Sequence, residues 1–494
     1  MRPLRRTGRR PAATVGAIAV SLFLLVASRS VALSVHSFTL DNGMTFLVVE
    51  RDGPLVAAGW SVRWGAGDDV PGRTGAAHFL EHLLFQGTEV IGTRDWTRER
   101  LLMAERDALL LAQRDDAEAA RLAQLDAELQ QVRIPGDYSR VYAEAGALGI
   151  DAVTNRDLSV YSLLVPKQRL ELWFWMESER LLRPVFRNIE DELRVIEQER
   201  LQRLESSPIG PAIERFEERF WGVDHPYSWT SDGRRRDWQG LTAPGELRRI
   251  FERAYAPSHL TAALVGDVDL EQVRQLAQLY FGRRRSAAPD TGSPASDAVT
   301  LAAGEDRPGS LDETCACRTQ VEARYSTVPF SHPDTVVLDV LAGILNGRTG
   351  RLHRELVLDR RIAFSATSRH AAWRRAGSFS LFAEALEDEP PERLLAALDE
   401  VVSTLREEDV GARELEKVKN QITTDVARQV QEPAALMRRL LVYAGLGDWR
   451  RLVDWDRAAL AVGPADIERV VRQYLVPERR GEMILRRTAG STTR

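Results

Sequence analysis

The chain has 494 residues, 44% of them apolar, enough for two or three domains with cores of their own. Its charged residues divide into 67 basic and 72 acidic, which excludes a wholly disordered chain, and two cysteines exclude a disulfide-stapled scaffold or a multi-cysteine metal site. Residues 1–32 hold six arginines and no acid, so the net charge of −5 leaves −11 on the rest, a body that repels phosphate backbones and excludes nucleic acid as a general partner.

Arg2, Arg5, Arg6, Arg9 and Arg10 precede an uncharged run from Pro11 to Ser28, followed by the small residues Ser30-Val31-Ala32. A basic start, an apolar run and a small-residue end read as a secretory signal peptide over residues 1–32, which sends the body to a periplasm or out of the cell. An uncleaved membrane anchor over residues 11–28 is the alternative, because about 18 apolar residues can just span a bilayer.

Strands begin at Val35. Asp41-Asn42-Gly43 lies between two alternating apolar stretches and predicts a hairpin. Ala57 to Trp64 gives a further strand, and Gly65, Gly67, Gly72 and Gly75 mark a loop into a helix over Ala77–Phe85. Residues 96–131 lack Pro and Gly, and Leu101, Leu102, Leu109, Leu122, Leu125 and Leu129 predict one or two long amphipathic helices, stopped by Pro135-Gly136-Asp137. Strand and helix signals alternate up to residue 285. Residues 286–312, rich in Ser, Ala, Pro, Gly and Asp, read as a linker between an N-terminal domain over 33–285 and a C-terminal domain over 313–494. Residues 241–257 (LTAPGELRRIFERAYAP) and 460–477 (LAVGPADIERVVRQYLVP) share Pro, an aliphatic-Arg helix, Tyr and a second Pro in one order, and an apolar strand follows each. That points to a duplication. Cys315 and Cys317 sit two apart in an extended segment, where a disulfide is strained; a redox or metal pair and two small strand residues are both open readings.

The sharpest chemical signal is His78-Phe79-Leu80-Glu81-His82. On a helix, positions i and i+4 share a face, so both imidazoles reach one metal ion, with Glu81 beside them where a carboxylate could deprotonate a metal-bound water. This is the H-x-x-E-H pattern of inverted zincins. Two histidines placed four apart for packing are the plainer alternative. A third ligand is expected from elsewhere, and Glu192 and Glu199, two helical turns apart with Val195 and Ile196 between them, are the best candidates. His36, His225, His259, His332, His353 and His370 lack metal-like spacing, and Trp173 and Trp175 read as packing residues.

The segment from Gly75 through His78, Glu81, His82, Phe85 and Gly87 to Thr88 resembles the active-site segment of the pitrilysin family, which includes insulin-degrading enzyme and the mitochondrial processing peptidases. The likeness extends to Leu40-Asp-Asn-Gly43, Tyr161-Ser-Leu-Leu-Val-Pro166, Tyr255-Ala-Pro257, Gly266-Asp-Val268 and, weakly, Ala342-Gly-Ile-Leu-Asn-Gly347. The resemblance implies an α+β fold of two homologous domains, each a mostly antiparallel sheet backed by helices. Together they form one half of a clamshell, here with an extra helical insertion over about 96–135 in the first domain. It implies one zinc per chain held by His78, His82 and Glu199, Glu81 as catalytic base and Glu192 as the supporting catalytic glutamate. It also implies an endopeptidase that encloses peptides or unfolded segments in a chamber formed with a homologous partner subunit, a heterodimer in preference to a homodimer. Membrane contact arises only through an uncleaved leader.

Three departures stand out. The interval from His82 to Glu199 is long, and the 96–135 stretch fills it, as a hairpin near the chamber mouth or packed outside. Asp151-Ala152-Val-Thr154 stands where relatives carry Asn-Ala-x-Thr; Asp151, Ala152 and Thr154 are the expected substrate contacts, and a carboxylate cannot donate as an amide does. Val357 and Phe364 occupy the positions of an Arg and a Tyr that stabilise the oxyanion in active relatives. Arg351, Arg354, Arg360 and Arg361 lie nearby in sequence as substitutes. A partner supplying Arg and Tyr would restore function; a non-catalytic scaffold or binding subunit of the same fold is the alternative.

Overall fold

The computed structural model describes residues 33–111, 116–285, 309–408 and 410–488; the stretch read as a leader and most of that read as a linker lie outside them. The first half builds a six-stranded sheet. Its strands are β1 (His36–Thr39), β2 (Thr45–Glu50), β3 (Leu55–Val62), β4 (Leu148–Thr154), β5 (Ser159–Pro166) and β6 (Leu260–Gly266), in the spatial order β1-β2-β6-β3-β5-β4. The Asp-Asn-Gly turn closes β1 on β2, with Gly43 at φ 97° and Asn42 Nδ2 donating to the carbonyls of Phe281 and Arg284 at 2.9 and 2.8 Å. Interleaved helices are α1 (Ala76–Leu83), α2 (Trp96–Leu111), α3 (Asp116–Val132), α4 (Asp137–Glu144), α5 (Leu170–Leu182), α6 (Ile189–Arg200), α7 (Gly210–Trp221), α8 (Trp238–Leu241), α9 (Glu246–Ala254) and α10 (Leu270–Tyr280).

The second half repeats the plan. Strands β7 (Leu311–Cys315), β8 (Gln320–Thr327), β9 (Ala363–Ala372), β10 (Gly377–Ala385) and β11 (Arg480–Arg487) order as β7-β11-β8-β10-β9. Helices α11 (Asp334–Leu345), α12 (Pro391–Glu407), α13 (Ala412–Gln431), α14 (Pro433–Leu446), α15 (Arg450–Ala461) and α16 (Pro464–Tyr474) surround them. Replacing β2 through β6 by β7 through β11 in chain order converts one strand order into the other. In each sheet only the corresponding pair, β2 with β6 and β7 with β11, is parallel. The two segments with matching sequence are α9 and α16, each feeding the strand that closes this parallel pair. β7 starts at Leu311, inside the stretch read as linker.

β3 shows what joins the halves. Its alternate residues Val56, Ala58, Trp60 and Val62 enter the first core beneath α1 and α5, among Phe79, Leu80, Trp173 and Phe174. The other face would be bare, yet it is also buried, because α14 of the second half lies across it. Ser61 donates to the Leu441 carbonyl, and a Cβ at Gly59 would meet Met437 Sδ at 2.8 Å. A buried polar clasp adds to this. Arg375 reaches Asp68 at 2.6 Å, Arg374 N donates to Asp157, and Glu217 of α7 pairs with Arg156 at 2.5 Å and with Arg324 of β8 at 2.7 Å. Val35–Arg494 is accordingly one packed unit. Cys315 and Cys317 are joined as a disulfide, Cα atoms 5.2 Å apart. Among the described residues no helix is long and apolar enough to cross a membrane.

The inserted stretch is a two-helix hairpin, α2 on α3, with a small core of Leu102, Leu125, Leu129 and Val132. Its base sits against the start of α6: Arg106 pairs with Glu190 at 3.1 Å, and buried Glu99 accepts from Arg133 and Arg187.

Candidate metal centre

α1 is fixed at its first turn. Asp69 accepts from the backbone N–H of Gly75 at 2.8 Å and of Ala77 at 3.1 Å, satisfying donors that a helix start leaves open. Gly75 takes φ 94°, and a Cβ there would lie 2.6 Å from the Asp232 carbonyl, so the 230–233 turn closes directly over this end. One helical turn then aligns His78 and His82, their Nε2 atoms 3.3 Å apart. Glu199 comes from α6, with Oε2 3.7 Å from His78 Nε2 and Oε1 3.7 Å from His82 Nε2. The ligand atoms of the three side chains all lie within 4.8 Å of one another. Glu192, two turns earlier on α6, sits behind His82, with Oε2 3.2 Å from Nδ1.

The opposite imidazole also has a carboxylate facing its Nδ1, close enough for an ion pair but without hydrogen-bond geometry, from a residue the sequence does not single out. Asp232 Oδ1 lies 3.2 Å from His78 Nδ1, and Arg203, in the π-helical turn that continues α6, bridges Asp232 and Glu199 at 3.0 Å each. A carboxylate facing each Nδ1 favours the tautomer with the proton there. Both Nε2 lone pairs then point at one another and at a third acceptor, Glu199. Three acceptors converging without a hydrogen between them call for a cation, and a carboxylate–histidine pair on each ring is what a metal site uses behind its ligands. His78, His82 and Glu199 therefore fit a divalent ion. Burial lowers the His82 pKa, but the Glu192 bond, Glu199 and Glu81 outweigh it and raise it; Asp232, despite burial, is held low by His78 and Arg203.

Glu81 lies beside the rings, nearly buried at 8% exposure. Burial raises its pKa against the pull of Thr154 and the two imidazoles. Thr154 donates its hydroxyl to Glu81 Oε2 and contacts Ser159 Oγ at 2.8 Å. On β4, the outermost strand of its sheet, Ala152 and Thr154 face inward, whereas Asp151 and Val153 face solvent, and Asp151 lies 3.5 Å from Arg438. Phe364 is exposed on β9 under the Arg318 guanidinium, and Val357 packs against the second core. Of the nearby arginines, Arg351 is engaged by Glu414 and Arg360 by Glu400. His225 is buried, stacked on Trp221.

Nothing in the spacing of Thr230-Ser-Asp-Gly233 separates Asp232 from an ordinary turn residue. Gln86, which donates to Glu192 Oε1 at 2.5 Å, was open to discovery, since it stands four residues beyond His82.

A family model described as "Peptidase M16 inactive domain" matches residues 243–422, a segment that contains none of His78, Glu81, His82, Glu192 or Glu199. A Helicobacter pylori protein named "Zinc protease PqqE" is 23% identical over 450 residues, covering 89% of this chain and 90% of that one. The crystal structure of a protease from Helicobacter pylori superimposes with a TM-score of 0.75 at 21% identity, over 92% of this chain and all of that one. Pitrilysin (TM-score 0.68, 13% identity) and the periplasmic protease PqqL from Escherichia coli (0.65, 17%) are covered over 92% and 91% of this chain, which spans about half of each, 45% and 47%. With its repeated sheets, its helix-borne H-x-x-E-H and neighbours superimposed over nearly its full length, the chain has the fold of pitrilysin and the M16-like peptidases, and over residues 243–422 its sequence matches the M16 family model.

Proposed function

We propose that the chain is a zinc-dependent endopeptidase, exported from the cytoplasm, that cleaves peptides or unfolded segments inside a chamber completed by a homologous partner chain. The observation that carries this is the convergence of His78 Nε2, His82 Nε2 and Glu199, with each imidazole backed by its own carboxylate. His78, His82 and Glu199 would hold one zinc, and Glu192 and Asp232 would set the ring tautomers. Zinc in that position supplies Lewis acidity, polarising a scissile carbonyl and making water acidic near neutrality.

The proton work falls to Glu81. Its Oε2 is occupied by the Thr154 hydroxyl, which leaves Oε1 to accept a proton from the attacking water and return it to the leaving amine. The upward shift of its pKa suits a group that must both take and give. A peptide would lie extended along the free edge of β4, pairing its main chain with residues 150–153, with Asp151 and Ala152 nearest to it. The basic, apolar leader over residues 1–32 and the periplasmic description of PqqL support export.

Phe364 and Val357 cannot donate to an oxyanion, and this supports a division of labour in which a partner chain brings the missing donors. The double length of pitrilysin and PqqL is consistent with two such halves acting together. The same two residues favour the second reading, a scaffold subunit without turnover. Zinc content and hydrolysis of a quenched peptide separate the readings. Glu81→Gln is expected to keep its zinc while losing all hydrolysis; undiminished hydrolysis in that variant would remove Glu81 as the base.

A further inference from the structure

A continuous line of hydrogen bonds leads from the inserted hairpin to a metal-facing imidazole. At the hairpin base, buried Glu99 accepts from Arg133 Nε at 2.9 Å. Arg133 Nη1 donates to Asn188 Oδ1 at 2.7 Å, and Asn188 Nδ2 donates to Gln86 Oε1 at 3.3 Å. Gln86 Nε2 then donates to Glu192 Oε1 at 2.5 Å, and Glu192 Oε2 meets His82 Nδ1 at 3.2 Å. One end is a guanidinium, which only donates; the other is a carboxylate, which only accepts. Both amides between them are therefore held in one orientation, and this polarity keeps the proton of His82 on Nδ1 and its lone pair on Nε2. Asn188 is held in place as well, sitting at φ 53° before the first turn of α6, a conformation Asn tolerates better than most residues.

We infer that Arg133 and Asn188 are positioning residues for the metal centre, so that the inserted hairpin tunes how tightly the site holds zinc through Gln86, Glu192 and His82. This rests on the reading that His78, His82 and Glu199 bind the ion. If Arg133 and Asn188 merely fasten the hairpin to the body, changes there would move stability and leave metal affinity alone.

Asn188→Asp separates the two roles. It keeps the side-chain size and the oxygen that accepts from Arg133, so the hairpin stays docked, but it turns the donor facing Gln86 Oε1 into an acceptor. Gln86→Leu removes the next link without touching the hairpin and keeps the test open should position 188 not tolerate the change. The measurement is the zinc dissociation constant of the full chain, by competition with a chromophoric chelator, beside thermal unfolding of the metal-free protein. Each variant is expected to bind zinc about tenfold more weakly with little change in metal-free unfolding, and the double variant no more weakly than Gln86→Leu alone. Affinities within about twofold of wild type, or losses that multiply in the double variant, would overturn the inference. His78→Ala is measured alongside: retention of full zinc affinity there would defeat the metal-site reading itself, whereas its loss together with an unaltered Asn188→Asp would defeat only the positioning chain.

Discussion

Glu217 is the carboxylate on which the two halves close, and Glu217→Gln measures that closure. In α7 it is 9% exposed and holds Arg156 of the first half and Arg324 of the second. Burial alone would raise its pKa, but the two guanidinium groups override it and bring it from 4.5 down to about 2. A depression of that size corresponds to about 3 kcal/mol of folding stability near neutrality. Breaking a buried ion pair by removing one partner costs about 3–5 kcal/mol by comparison with other proteins, and the low end applies here. Arg324 retains Glu322 at 2.6 Å, and Arg156 keeps its place 4.5 Å over the Trp373 ring.

The sign of the pH dependence follows. A carboxylate with a depressed folded pKa contributes fully above its unfolded pKa, and its contribution disappears as pH falls through the folded one. Urea unfolding of wild type and Glu217→Gln should therefore differ by about 3 kcal/mol near neutrality, with the gap closing between pH 4.5 and about 2. A gap below about 1 kcal/mol near neutrality, or one that persists undiminished to about pH 3, would refute the reasoning.

Two further outcomes are expected. Gly59→Ala places a Cβ 2.6 Å from the Tyr161 carbonyl and 2.8 Å from Met437 Sδ, so Met437 must turn aside and the pairing of β3 with β5 must give; a loss of about 1–3 kcal/mol in chemical unfolding is predicted, and an unchanged midpoint would contradict the packing described. Asp232→Asn removes the carboxylate behind His78 and should weaken zinc binding about 10- to 100-fold in a chelator competition, whereas an unaltered constant would deny Asp232 any part in the site.

What the sequence disclosed is what local periodicity encodes. The Asn-Gly hairpin, α1 with its two histidines on one face and the long amphipathic helices of the insertion each follow from spacing along one element. The duplicated strand order was foreshadowed by α9 and α16, because each must present the same face to the strand it feeds. Contacts made across the chain were not legible. The run from Val56 to Val62 signals burial on both faces but cannot say that α14, nearly four hundred residues later, supplies the second cover. Asp232 is invisible for the same reason. On β4, alternation separates Asp151 from Ala152 and Thr154, and only the fold brings the Thr154 hydroxyl to Glu81. The disulfide between Cys315 and Cys317 does not follow from the sequence, because ring strain at that spacing argues against it in isolation.

The most direct test is the zinc content of the purified chain compared with that of a His78→Ala/His82→Ala double variant, read by elemental analysis after exhaustive dialysis. One zinc per wild-type chain and none in the variant is the predicted result. A variant that retains the full complement, or a wild-type chain that takes up no zinc when supplied with it, would contradict the assignment of His78, His82 and Glu199 as the metal-holding residues.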